Sequence, residues 1–272
     1  MGSPPAVPDL PDLGALIGWF AGSVLRIRRA HVEDAMERAG IARSSALEMY
    51  RSLGRSLVEL VWLAWRPAIA ASQVAVLDDE LRVALDRAKA RGRGVVIATA
   101  HAGNWEIAAA AIAERYPLTV VGKAMSVGWV DRFCREARAA RGIAIAAPRG
   151  AMANAKDALR RGEVVAMVID QVPDRARHAL SVEFLGAPAD VDRSPAALAA
   201  SMRAPMIVAA ARRVEASQQR LELLAVLDPP DRARGAWIDE ATRQATAALD
   251  RFVRAHPSEW LWMHRRWRHP AS

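Results

Sequence analysis

The sequence predicts an α/β protein: a three-layer α/β/α core with a mostly parallel central sheet, preceded by a helical segment. Three observations lead there. After about residue 78, short apolar runs alternate with helical patterns of roughly 10–15 residues, the rhythm of βαβ crossovers. The runs are continuously apolar, as strands covered on both faces are. Hydrophobic residues make up 52% of the 272 positions against 25% charged, so a real core can be buried.

Residues 1–12 are proline-rich and are expected to form a disordered leader. Residues 13–75 form the helical segment. Its longest pattern, SSALEMYRSLGRSLVELVWLAW (44–65), spaces Leu47, Tyr50, Leu53, Leu57, Leu60 and Leu63 at threes and fours, as one buried face would. Ser44 or Ser45 can cap its start, and Pro67 ends or kinks it. The stretch LGALIGWFAGSVL (13–25) is uncharged and is followed by RIRR. At about 1.5 Å per residue it covers roughly 20 Å, short of a bilayer core of about 30 Å. Two placements stay open: in a membrane interface with Trp19 and Phe20 inserted, or packed on the domain.

The α/β domain then runs over 76–272. Predicted strands are 95–100, 118–122, 143–147, 164–170, 206–211 and 221–227. Predicted helices are 79–91, 105–115, 127–140, 151–161, 195–203 and 237–255. There is no internal repeat, and neither a GxGxxG nor a GxxxxGK[ST] loop, so dinucleotide and P-loop functions lose their support.

The formal net charge is +8, and lysine occurs only at Lys89, Lys123 and Lys156, so the basic excess is arginine. Together with the abundant alanine, it reads first as a codon-composition effect. The charge favours acidic partners: nucleic acid, anionic lipid or an acidic carrier protein. No zinc-knuckle spacing, RNP-like motif or basic heptad helix is present, and the arginines are scattered through every segment. No nucleic-acid partner is therefore expected. The single cysteine, Cys134, allows no internal disulfide and fits a reduced, cytosol-facing location.

The segment VVIATAHAGNWEIAAAAIAERY (95–116) puts His101 where a strand ends and Glu106 in the first turn of a helix, with Gly103 and Asn104 supplying the turn and the N-cap. That corner, outside the carboxyl ends of strands, is where open α/β sheets bind ligands. A carboxylate accepting one imidazole N–H leaves the other nitrogen free to take a proton from a hydroxyl. It also stabilises the imidazolium that forms. No serine or cysteine nucleophile follows, so direct attack by a bound hydroxyl on an activated acyl group is suggested. The bland alternative has Glu106 complementing the helix dipole and His101 bonding a loop carbonyl. For a metal, no third ligand sits at useful local spacing, and none is expected.

HAGNWE resembles the H-x4-[DE] motif of the late lipid A acyltransferases (the lauroyl/myristoyl acyltransferase family). Three further stretches are similar to that family in order: LRRGEVVAMVIDQ (159–171), VEFLGAPADVDRSPAALA (182–199) and HPSEWLWMHRRWR (256–268), whose Trp-x-His-Arg-Arg ending is a family signature. The resemblance implies an enzyme on the cytoplasmic face of the inner membrane. It would move a fatty acyl group from acyl carrier protein or acyl-coenzyme A to a lipid hydroxyl. The acceptor would be lipid A or a precursor, or another polar lipid (a membrane glycolipid, lysophospholipid or amino-acid lipid), and no cofactor is expected. The alternative from another class is a non-catalytic membrane or carrier-protein binding module.

It also implies that His101 is the general base and Glu106 its orienting partner, with Asn104 shaping the loop or touching substrate. Arg138 would hold a phosphate or the thioester oxygen, or lie on a solvated helix face. Arg149, Asp170 and Gln171 would line the cleft at strand ends, and Glu183 is a second carboxylate candidate for His101. In WLWMHRRWR, Trp260 and Trp262 are expected to pack on the core while Arg265, Arg266 and Arg268 face water or lipid head groups.

Overall fold

The computed structural model describes residues 10–122, 128–146, 150–173, 175–215, 218–232 and 234–267. The chain opens on helix α1 (Leu10–Trp19), which tightens into a π-helical turn over Phe20–Val24. α2 (Arg29–Arg38) and α3 (Ser45–Ala64) follow. The helix therefore starts at Leu10, inside the stretch expected to be a leader; residues 1–9 lie outside the described residues.

α1 crosses α3 on glycine. A Cβ at Gly18 would lie 1.9 Å from the Tyr50 carbonyl oxygen, and one at Gly54 would lie 2.1 Å from that of Gly14. Backbone against backbone is the only packing these positions allow. The face of α3 expected to be buried shifts accordingly. Leu57 is 53% exposed, while Ser52, Gly54, Ser56 and Glu59 are buried. Ser44 stands at the N-cap position without a side-chain cap bond.

Seven strands form the main sheet: β1 (Ala75–Leu77), β2 (Val95–Thr99), β3 (Leu118–Val121), β4 (Ala144–Ala146), β5 (Val164–Val168), β8 (Met206–Arg213) and β9 (Gln219–Leu227), in the order β1-β9-β8-β2-β5-β3-β4. Every adjacent pair is parallel except β8 and β9. These two are joined by residues 214–218, too short for a crossover, so β9 and β1 run against the other five. The fold is thus mixed α/β with a large, mostly parallel sheet. β6 (Ala179–Phe184) and β7 (Ala187–Asp192) make a separate antiparallel hairpin. Its turn places Leu185 and Gly186 at φ +53° and +83°. Leucine is an unusual residue there, and without an Asn-Gly signal the hairpin was invisible in the sequence.

Alternate residues of β2 enter two cores. Val95 and Ile97 pack with Leu81 and Leu85 of α4 (Asp79–Ala90) and Ile107 of α5 (Trp105–Ala113). Val96, Ala98 and Ala100 pack instead with Leu159 of α7 (Ala151–Arg160), Leu198 of α8 (Ser194–Met202) and Leu249 and Phe252 of α9 (Arg234–Ala255). α6 (Gly128–Ala140) lies between β3 and β4 in sequence. The chain's last described segment, after α9, returns to the carboxyl end of β2. Ala102 bridges Trp260, the Gly103 N–H donates to the Glu259 carbonyl at 2.8 Å, and the Leu261 N–H donates to that of His101 at 3.0 Å.

Candidate active site

β2 and β5 are adjacent inner strands, with Thr99 in register with Val168, so the residues after them meet at the carboxyl end of the sheet. His101 follows β2 and Asp170 follows β5. The His101 Nδ1 lies 2.9 Å from Asp170 Oδ1, and the His101 backbone N–H donates to Oδ2 at 2.8 Å. The indole N–H of Trp260 donates to the same Oδ2 at 2.9 Å. With its side chain wholly buried, Asp170 accepts from three donors, two of which fix its plane.

The electrostatics follow from this cage. Burial alone would raise the Asp170 pKa. The His101 charge and hydrogen bond outweigh it and hold the carboxyl well below the usual carboxylate range. Burial pushes the His101 pKa down, but the Asp170 charge and hydrogen bond, with help from Glu106, leave it raised above its ordinary 6.5. The His101 side chain keeps 18% exposure, so the ring is partly open to solvent.

The carboxylate on Nδ1 is therefore Asp170 and not the expected Glu106. Helix α5 turns Glu106 away from the imidazole and toward α6. There the Arg138 guanidinium takes both its oxygens, at 2.9 and 2.5 Å, and Trp105 Nε1 donates at 3.2 Å. Arg138 is correspondingly engaged in a part-buried ion pair rather than on a solvated helix face. Glu183 stands exposed on the β6–β7 hairpin, paired across it with Pro188, and makes no contact with His101. Arg149 lies outside the described residues.

Asn104 is 2% exposed and uses its amide inside the protein. Its Oδ1 accepts the Ile107 N–H at 3.3 Å as an N-cap, and its Nδ2 donates to the Ser56 carbonyl and to Glu59 Oε2, both at 3.0 Å. Glu59 in turn pairs with Arg213. Gly103, at φ +56°, leaves no room for a side chain: a Cβ would sit 2.6 Å from the Ala211 carbonyl oxygen. The loop carrying His101 is thus braced by α3, by the ends of β8 and β9 and by the C-terminal segment.

That segment supplies the residues missed by sequence reasoning. Trp260 and Trp262 are buried, as expected, but Trp260 also holds Asp170. His264 places its ring 5.0 Å from that of His101, edge to face, and Gln171 Nε2 lies 3.3 Å from its Nε2. Burial lowers the His264 pKa to about 4. Arg266 does not face water: it is 1% exposed, donates to the Asp190 carbonyl at 2.6 Å and lies over the Phe184 ring. The only hint was the Trp-x-His-Arg-Arg stretch, in which His264 reads as one more basic residue.

His101, Asp170 and His264 bring one ligand atom each to within 4.8 Å of one another. Two of the three residues already share a hydrogen bond, and the Arg28 and Arg266 charges both act on the third. The set is better arranged for proton transfer than for a cation. Beside it, Trp105 touches His101 edge-on with ring centroids 5.1 Å apart. The same residue borders an apolar cavity of about 80 Å³ between α5 and the sheet, lined by small residues such as Ala108, Ala109, Ala166 and Ala210, with Glu106 and Arg138 among its walls.

A mostly parallel α/β sheet that carries a carboxylate-held imidazole at its strand ends is an arrangement that can move a proton to or from a bound ligand. The particular lineage follows from comparison: the chain belongs to the bacterial lipid A biosynthesis acyltransferase family, whose model matches residues 17–269. Acyl transfer to a lipid is the activity that this membership carries. No curated protein matches the chain.

Proposed function

We propose that this protein transfers a fatty acyl group from a carrier-protein or coenzyme A thioester to a hydroxyl of lipid A or a precursor, on a three-layer α/β/α core. The observation that carries the reading is the His101–Asp170 contact. A carboxylate on Nδ1 fixes the tautomer that leaves Nε2 as acceptor, so the acceptor O–H can lose its proton there while the oxygen attacks the thioester carbon. Asp170 takes the orienting role. The tetrahedral species then collapses, and the thiolate leaves with the proton that His101 acquired.

Glu106 contributes at a distance. Its charge favours the imidazolium, while the Arg138 guanidinium fixes the carboxylate in place. The cavity beside Trp105 is lined mostly by apolar side chains, which suits the end of a hydrocarbon chain better than a sugar.

Membrane association is supported by the first helix and its π turn. Leu16, Trp19, Phe20, Val24 and Leu25 are between 38% and 59% exposed and lead into Arg26 and Arg28. Among the described residues no helix is long and apolar enough to cross a membrane. Insertion of this face at the interface of the inner membrane's cytoplasmic leaflet would bring a lipid acceptor to the enzyme.

The test is mass spectrometry of total lipids from cells with and without the gene, and with His101→Ala. A missing acyl chain in the last two identifies donor and acceptor together. Lipids unchanged in all three would dismiss the proposal.

A further inference from the structure

A second imidazole stands at the site, and the acid–base scheme above leaves it unused. His264 sits edge to face against His101 with ring centroids 5.0 Å apart. Its backbone is tied down on both sides: the Arg28 guanidinium donates to the Met263 carbonyl at 2.9 Å, and His31 Nε2 lies 3.0 Å from the His264 carbonyl oxygen. On the ring, Gln171 Nε2 lies 3.3 Å from Nε2. With the Gln171 amide N–H donating, that ring nitrogen accepts and the proton lies on Nδ1. Nδ1 has no hydrogen-bond partner among the described residues.

We infer that His264 is a catalytic residue whose Nδ1–H stabilises the oxyanion formed when the acceptor hydroxyl attacks the thioester. The inference rests on the acyl-transfer reading. It gives the attacked carbonyl oxygen a donor on the ring that packs edge to face against the base removing the acceptor proton. In the step, the acceptor proton passes to His101 Nε2, the new C–O bond forms, and the carbonyl π pair moves onto oxygen. The Nδ1–H of His264 bonds that oxygen and keeps its proton. The π bond then reforms, the C–S bond breaks, and the thiolate takes the proton from His101.

A neutral imidazole is the correct species for this work. A protonated one would face the His101 imidazolium, and the charges of Arg28 and Arg266 also act against it, with Asp170 alone opposing them. Burial is the largest cause of the lowered pKa, and at about 4 it keeps His264 neutral throughout the working range. Gln171 is then a positioning residue that acts by choosing the tautomer.

The experiment uses the full chain with lauroyl-coenzyme A as donor and water as acceptor, read as thiol release. His264→Ala should lower kcat by about 10²-fold or more with KM held within about threefold. His264→Asn, whose amide N–H falls near the position of Nδ1, should recover at least about tenfold, whereas His264→Gln, with its amide near Nε2, should not. Long-range 15N–1H correlation spectra read the tautomer without turnover: Nδ1 protonated in the wild type, and the proton shifted toward Nε2 in Gln171→Glu.

A protonated Nε2 in the wild type overturns the inference, as does His264→Ala retaining kcat while His101→Ala loses it. Should His101→Ala also release thiol at the wild-type rate, the acyl-transfer reading itself falls first.

Discussion

The Trp260 indole N–H donates to Asp170 Oδ2 at 2.9 Å, joining the C-terminal segment to the carboxylate that holds His101. Asp170 is 2% exposed and Trp260 1%, so water cannot replace either partner. A buried carboxylate that loses a donor is free to rotate, and the imidazole it orients would rotate with it. Trp260→Phe keeps most of the packing against Phe184 and Trp262. It should slow acyl transfer by about ten- to a hundredfold, the scale of one hydrogen bond to a charged group at about 1.5–3 kcal/mol. Steady-state rates at saturating donor test this, and a rate equal to wild type would detach Trp260 from the site.

Asp170→Asn should be far more damaging. An amide can donate to Nδ1 and so stabilise the wrong tautomer, which removes the base. The loss in kcat should reach about 10³–10⁴-fold, as in other carboxylate–histidine pairs. Circular dichroism on the same sample separates this from misfolding.

The His101 pKa is raised in the folded protein, and the base must be neutral, so activity should rise with pH through a value above 6.5. Glu106 is one of the raising charges, so Glu106→Gln should move that acidic limb to lower pH. It should cost less rate than Asp170→Asn, because Glu106 does not touch the ring. A log(kcat/KM) profile from pH 5 to 9, on the order of the range in which histidine titrates, shows both effects. The sign for stability is opposite: a raised histidine pKa contributes stability below its unfolded value of 6.5 that is lost as pH rises through the folded value.

Gly54→Ala should loosen the N-terminal helices. Its Cβ would meet the Gly14 carbonyl oxygen at 2.1 Å and the Gly18 nitrogen at 2.6 Å, and neither backbone can yield without α1 moving off α3. A destabilisation of about 1–3 kcal/mol is expected from such overpacking. Thermal melting gives the loss, and limited proteolysis should show α1 released before the sheet.

Replacing Trp19 and Phe20 together by serine should weaken binding to vesicles containing anionic lipid while leaving the melting temperature within about 2 °C, because both residues are more than a third exposed. Vesicle sedimentation unaffected by the double change would remove the membrane role from this face.

Much of the fold was legible because its signals are local. The runs at 95–100, 118–122, 143–147, 164–170, 206–211 and 221–227 emerge as strands within a few residues. Asn104 caps α5 with its side chain, as its position before Trp105 implied. β1 escaped because three residues carry no periodicity, and the β6–β7 hairpin because Leu185 hides its turn. On α3, Tyr50 and Leu63 are buried as expected, but Leu57 misled for another reason. Periodicity records where apolar residues lie, yet the helix turns Gly54 and Glu59 inward because the backbone of α1 and the Arg213 guanidinium are on that side.

What the chain determined by itself is the position of the histidine proposed as base: at the end of a buried strand, with a glycine behind it and an asparagine starting the next helix. These are constraints between neighbours in sequence, written within about one turn of backbone. Which carboxylate takes the imidazole was decided only by tertiary structure. Strand order sets β5 beside β2, so Asp170 reaches Nδ1, while the helical twist of α5 hands Glu106 to Arg138. Pairing of residues 259–261 with the loop then brings Trp260 and His264 to the same place. Hydrogen bonds between strands far apart in sequence leave no periodic trace, and so the carboxylate partner, unlike the histidine, had to be seen in space.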